Sequence, residues 1–249
     1  MSKIKKLRYL TEKQKFLGFA FDVCQEYFDN EKDFDAFFNS IDSDDRKDKF
    51  LKIVSYYKFL IRDGKFYNED PKFDKYIDCL DETYKYIALI SLIESIYNQN
   101  EYKEFYEWIK MNPESVPFPI THLSDLEGYY EAYKKEHGVT QKVGKFFCSL
   151  DDQCKNIIKT KLKVKGKNDF LPLANYFYKI RSEFVHNANL VLQFGKETTI
   201  AGDNAEIVSD LNLQDLKMFF EHGLLKHFGY CREFKHPISA TRRKYARLL

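Results

Sequence analysis

The run from Tyr178 to His186 brings together two side chains of complementary chemistry. Arg181 carries a permanent positive charge in a planar guanidinium that suits phosphate and carboxylate groups. His186, five positions later, carries an imidazole that gains or loses a proton near neutral pH. This is the place in the chain where local geometry holds an acid/base group and a fixed cation near each other, so we take it as the candidate functional site.

The residues around this pair have the spacing of an amphipathic helix. At about 100° per residue, the predicted buried positions fall within a band roughly 60° wide: Leu173, Phe177, Ile180, Phe184 and Val191. His186 lies away from that band, on the side of Tyr178, Ser182 and Asn189. Arg181 and His186 lie about 140° apart around the helix. Either the long arginine side chain reaches around the helix to His186, or Arg181 of one chain meets His186 of a second copy of the helix. The second alternative predicts a symmetric homodimer with a composite cleft.

The elements that position this helix are predicted to be helical as well, so we expect an all-α fold. The chain has 249 residues, with 23 Phe and 18 Tyr but only 10 Gly and 6 Pro, which favours long aromatic-packed helices with few tight turns. Helical spacing recurs over 11–40, 50–60, 73–97, 123–133, 142–162 and 211–228. Three prolines between 111 and 121 predict an extended connector, and residues 195–203 predict a loop or short hairpin.

Composition and charge exclude several classes of protein. No apolar run approaches the roughly 18 to 20 residues needed to span a bilayer, so no membrane partner is expected. The basic start of the chain is followed by no apolar segment, which argues against a secretory signal. Five widely spaced cysteines predict reduced thiols and a cytoplasmic location. A formal net charge of +2 does not by itself indicate a nucleic-acid binder.

The run from Tyr178 to His186 resembles the Arg-x4–6-His motif of HEPN domains, a helical family that includes many RNases. Residues 90–96 resemble the first core helix of that family, and residues 219–228 its closing helix. The resemblance implies a HEPN-like helical bundle in a domain spanning 76–249, with 98–140 as an inserted helical segment and 1–75 as an N-terminal helical extension. Family members often carry Asn, Asp or His directly after the arginine, where this chain has Ser182.

The resemblance implies a metal-independent endoribonuclease that needs no cofactor and acts in a defence or toxin system. In such an enzyme His186 takes the proton of a ribose 2′-OH or protonates the leaving 5′-oxygen, and Arg181 binds the phosphate. Tyr178, Ser182 and Asn189 would orient the phosphate or a base. The expected partners are RNA, a second copy of the chain and, if cleavage is regulated, a regulatory protein.

A run of lysines directly before the motif helix is a second candidate RNA contact. It contains no acidic residue and comprises Lys155, Lys159, Lys161, Lys163, Lys165 and Lys167. Such a run binds a phosphate backbone electrostatically, so we assign Lys163, Lys165 and Lys167 to substrate binding, with a solvated surface as the alternative. Glu94, in the apolar helix, either serves the site or has a structural role.

Metal binding is not predicted. Four residues near the C-terminus invite a zinc hypothesis, but their spacing matches no standard site: His222, His227, Cys231 and His236. Two other functions stay open beside the ribonuclease. One is a catalytically inactive HEPN module that binds RNA, a nucleotide or a protein. The other is a helical scaffold whose aromatic N-terminal region binds a partner protein.

Overall fold

The computed structural model of the chain describes residues 7–67, 69–70, 72, 74–97, 104–164, 169–187, 198–202 and 205–231. Over these residues the fold is all-α apart from one small sheet, which confirms the predicted class. The first helices are α1 Arg8–Thr11, α2 Lys13–Cys24, α3 Glu31–Ser40 and α4 Asp44–Tyr57, with a 3-10 turn at Gln25–Tyr27 and a π turn at Lys58–Arg62. The others are α5 Asp74–Ile96, α6 Phe105–Met111, α7 Leu123–His137, α8 Val139–Cys148, α9 Asp152–Lys161, α10 Phe170–Asn187 and α11 Leu213–His227.

The chain forms two compact units, one of which combines two separate stretches of the sequence. Residues up to Gly64 and those from Leu224 onward form one, called here the terminal unit, and Lys65–Gly223 form the central unit. The predicted domain boundaries, 1–75 and 76–249, stay a prediction. Within the described part of the chain, every helix is too short or too polar to cross a membrane.

The terminal unit is built on an aromatic core. The side chains of Asn30 and Ser43 accept hydrogen bonds from backbone N–H groups in the first turns of α3 and α4, which fixes where these helices begin. Between the helices, Phe34 and Phe50 are fully buried with ring centroids 6.5 Å apart. The ring of Phe228, directly after α11, packs edge-on against Phe50, with ring centroids 5.2 Å apart. The C-terminal residues therefore complete this core.

The central unit holds the predicted motif helix, α10, against α5 and α8. Phe177 of α10 stacks on Phe147 of α8, with ring centroids 4.1 Å apart and planes 16° apart. Tyr86 of α5, which is 2% exposed, donates its hydroxyl hydrogen bond to the backbone oxygen of Phe177. One residue of α10 thus contacts both neighbouring helices, and this fixes the position of the helix that carries the motif.

The segment predicted as an insertion has a small core of its own. Trp108, Ile109 and Val116 are buried together, and Tyr133 of α7 packs against them. The Trp108 indole donates to a carboxylate oxygen of Glu136 at 2.9 Å, which joins α6 to α7. Of the predicted insertion, 98–140, residues 98–103 lie outside the described residues.

A small antiparallel sheet combines one strand that precedes α10 in the chain with two strands that follow it. Its strands are β1 Leu162–Val164, β2 Thr198–Gly202 and β3 Ala205–Ser209, in the order β1-β3-β2. Leu162 pairs with Ser209, and Ile200 pairs with Ile207. Strands β2 and β3 form the short hairpin predicted around residues 195–203.

Candidate active site

Helix α10 presents one side to the core and the other to solvent, as its sequence predicts. Proline is tolerated in the first turn of a helix, and Pro172 lies there. Leu173, Phe177 and Ile180 are each at most 7% exposed and face the core. Phe184 is partly buried and packs edge-on against another ring, and Val191 lies outside the described residues.

Arg181 turns from α10 toward α5, where it meets Glu94. Its Nε lies 3.7 Å from Oε1 of Glu94, and the two side chains are only 20% and 17% exposed. This distance makes an ion pair but is too long for a hydrogen bond. Neither of these two buried atoms has a hydrogen-bond partner within the described residues. The guanidinium also lies 5.9 Å from the ring centroid of Tyr178, one turn earlier.

Glu94 faces positive charge from two helices. Burial raises the pKa of the Glu94 carboxyl above its ordinary value, and Arg181 of α10 and Lys142 of α8 act in the opposite direction. The cost of burying the carboxylate is therefore only partly offset by these cations. Of the two roles that the sequence leaves open for Glu94, this contact supports the one at the site, because the carboxylate pairs with Arg181.

His186 lies in the last turn of α10 with its side chain exposed. Both motif residues are described, and no contact joins them within one chain. This agrees with the angular separation predicted for a single helix. Val185, next to the histidine, is 48% exposed, so an apolar side chain accompanies the imidazole at this end of the helix.

A surface pocket of about 430 Å³ lies beside the motif and contains two of the predicted substrate-binding residues. Tyr178 and Ser182 line it together with Glu183 of α10 and Thr140 of α8. The remaining lining includes an amide and a second tyrosine, from Asn175 and Tyr176. The pocket therefore offers aromatic rings, hydroxyl groups and an amide, which are groups that bind a nucleobase or sugar.

The comparisons with known proteins decide nothing about this site. No family model, curated protein or solved structure matches the chain.

The lysine run divides between structural and exposed residues. Lys161 forms an ion pair with buried Asp215 of α11, so its charge serves the fold. Lys163 is exposed on β1, because the residue before it, Leu162, faces the core. Lys165 and Lys167 lie outside the described residues, as does Asn189. Of the predicted RNA-contacting lysines, Lys163 alone is described, and it is available to a ligand.

Sequence reasoning singled out Glu94 but did not pair it with Arg181. Glu94 and Arg181 are far apart in the chain, so only an acidic residue within an otherwise apolar stretch of α5 signalled their pairing. It also missed a second cluster of titratable groups, which joins α9 to α11 and is described below.

Chemically, the arrangement supplies an exposed imidazole and a guanidinium that is paired with the partly buried carboxylate of Glu94. An imidazole can exchange a proton with a hydroxyl group, and a guanidinium can stabilise charge on a phosphate.

Proposed function

We propose that the protein is a metal-independent endoribonuclease of the HEPN type, acting as a cytoplasmic homodimer in a defence or toxin system. The observation that carries the proposal is the exposed His186 in the last turn of α10, on a helix whose Arg181 is paired with Glu94. The Arg-x4–6-His spacing adds the resemblance to that family.

The reaction follows from the chemistry of the two side chains. The ribose 2′-oxygen attacks the adjacent phosphorus while His186 of one copy removes the 2′-OH proton. The bond from phosphorus to the 5′-oxygen breaks, and that oxygen takes a proton, so the products are a 2′,3′-cyclic phosphate and a 5′-hydroxyl. Arg181 stabilises the charge on the phosphoryl oxygens. The pocket beside Tyr178 and Ser182 then holds a nucleoside next to the cleaved bond.

The first test is cleavage of single-stranded RNA in the presence of EDTA. Because general acid–base catalysis contributes about 10² to 10⁴-fold, His186→Ala is expected to lower the rate by at least about 100-fold. His122→Ala is the matched control, since His122 is also exposed, and it should cleave at the wild-type rate. RNA with 2′-O-methyl groups should resist cleavage. If wild-type protein binds RNA without cutting it and His186→Ala changes nothing, the inactive binding module replaces this proposal.

A mixing experiment tests whether the site is composite. His186→Ala and Arg181→Gln are each expected to be inactive alone. If Arg181 of one copy serves His186 of the other, every mixed dimer contains one intact site. Random exchange should then restore about one quarter of the wild-type activity, since half of the dimers are mixed and each has one of two sites intact. If both residues act within one chain, mixing restores nothing.

A further inference from the structure

Three side chains that commonly bind metals meet in the central unit, on elements other than α10. Asp151, Cys154 and His222 each offer one donor atom, and these atoms all lie within 4.8 Å of one another. Cys154 and His222 are buried, at 0% and 6% exposure. The side chain of Asp151 is 34% exposed, so the cluster reaches solvent through the carboxylate.

The start of α9 places two of these groups together. Asp151 is the residue that caps α9, and its Oδ1 accepts a hydrogen bond from the backbone N–H of Cys154 at 2.7 Å. This leaves Oδ2 directed to His222 of α11, whose Nδ1 lies 3.5 Å away. The thiol of Cys154 lies 3.5 Å from the same nitrogen. A single imidazole nitrogen is thus the common neighbour of a carboxylate and a thiol.

Two of the three distances between donor atoms fit the edges of a tetrahedral zinc site. With zinc bonds of about 2.3 Å to sulfur and about 2.0–2.2 Å to nitrogen and oxygen, ligand atoms lie about 3.6 Å apart for sulfur and nitrogen and about 3.4 Å for nitrogen and oxygen. The observed separations are 3.5 Å in both cases. The separation between Nδ1 of His222 and Oδ2 of Asp151 is longer than the usual length of an N–H···O hydrogen bond, about 2.7–3.2 Å, and both separations match the spacing of ligands around one ion.

The charges of the donors also suit a divalent ion. A thiolate and a carboxylate together carry two negative charges, and one zinc ion neutralises them in a buried position. Sulfur and imidazole ligands favour zinc over magnesium or calcium, which prefer oxygen.

We propose that Asp151, Cys154 and His222 bind a zinc ion, with a water molecule as the fourth ligand on the exposed side of Asp151. The ion joins the first turn of α9 to α11 and stabilises the central unit. This site is separate from the proposed ribonuclease chemistry and does not depend on it.

The test measures metal in the full-length protein directly. Protein dialysed against a chelator and then given one equivalent of zinc should retain about one ion per chain by mass spectrometry of the metal. Replacing zinc with cobalt(II) should give a thiolate-to-metal charge-transfer band in the near ultraviolet, which Cys154→Ser abolishes. Since loss of an outer-shell partner alone costs about 10 to 100-fold in affinity, Asp151→Asn is expected to weaken zinc binding by at least about 100-fold.

Asp152→Asn is the matched control, because its side chain is 96% exposed on the next residue of the chain. It should bind zinc as the wild type does. Asparagine caps helices as well as aspartate, so Asp151→Asn keeps the start of α9 and remains informative if Cys154→Ser fails to fold.

Three results would overturn the proposal: no zinc retained by the wild type, unchanged affinity in Asp151→Asn, or a cobalt spectrum without the thiolate band. RNA cleavage separates this inference from the proposed function. Asp151→Asn, assayed below its unfolding temperature, should still cut RNA if the ribonuclease proposal holds, whatever its zinc content.

Discussion

The packing of α8 against α11 depends on the absence of a side chain at Gly223. A Cβ at this position would lie 2.3 Å from Cζ and 2.6 Å from Cε2 of Phe146. Carbon atoms pack best at about 3.5–4.0 Å, so the ring would have to move by at least about 1.2 Å. Phe146 is fully buried and lies against the rings of Phe147 and Phe220, which limit that movement. We therefore expect Gly223→Ala to destabilise the protein.

Two opposing effects set the size of this destabilisation. Alanine is more favourable than glycine inside a helix by about 1 kcal/mol. Overpacking a well-packed core costs about 1–3 kcal/mol, and the short distances place this site at the upper end. The net loss is then about 2 kcal/mol, which for a chain of this size lowers the unfolding temperature by about 4–8 °C.

The assay is thermal unfolding followed by helical circular dichroism, with a control from an open position. Gly128→Ala in α7 meets no atom within 4 Å, so it should raise stability by up to about 1 kcal/mol. In the Gly223→Ala background, Phe146→Leu should cost less than it does in the wild type, because it removes the atoms that clash. Two results would contradict the close approach of α8 and α11: a Gly223→Ala variant as stable as the wild type, or strictly additive effects of Gly223→Ala and Phe146→Leu on the free energy of unfolding.

Two further predictions concern the residues that hold α10. Because burial raises the pKa of Glu94, the folded state binds this proton more tightly than the unfolded state, so stability falls as pH rises from about the ordinary value of 4.5 through the higher folded-state pKa. The wild type should therefore lose stability relative to Glu94→Gln across that interval in urea titrations, and parallel pH profiles would contradict the burial. Tyr86→Phe removes the hydrogen bond to Phe177 and should cost about 1 kcal/mol, whereas Tyr106→Phe, at an exposed tyrosine, should cost nothing measurable in the same titration.

Much of the fold followed from the spacing of apolar residues. The apolar spacing predicts a helix at 73–97, where α5 spans Asp74–Ile96, and another at 211–228, where α11 spans Leu213–His227. These predictions succeed because helical periodicity depends only on nearby residues, and in these two helices it continues over 15 or more positions. The sequence also predicted which side of α10 is buried, since Leu173, Phe177 and Ile180 obey the same period.

The contacts of the candidate site were harder to predict, because they join residues far apart in the chain. The cap formed by Asp151 on Cys154 is local, and its spacing of three residues can be read from the sequence. The third residue of the cluster, His222, lies in α11, 68 residues after Cys154, and no periodic pattern links these two positions. The sequence instead grouped His222 with nearby histidines and a cysteine whose spacing does not suit a metal. The ribonuclease assignment, the dimer and the RNA partner stay predictions.

The terminal unit has a consequence for synthesis of the protein on the ribosome. Phe228 completes its aromatic core. Two hydrogen bonds also join residues far apart in the chain: the Arg46 guanidinium donates to the backbone oxygen of His227 at 2.8 Å, and the Tyr230 hydroxyl donates to the backbone oxygen of Tyr27 at 2.7 Å. These C-terminal groups are translated after the whole central unit. The aromatic core around Phe50 is therefore completed only after the central unit has been synthesised.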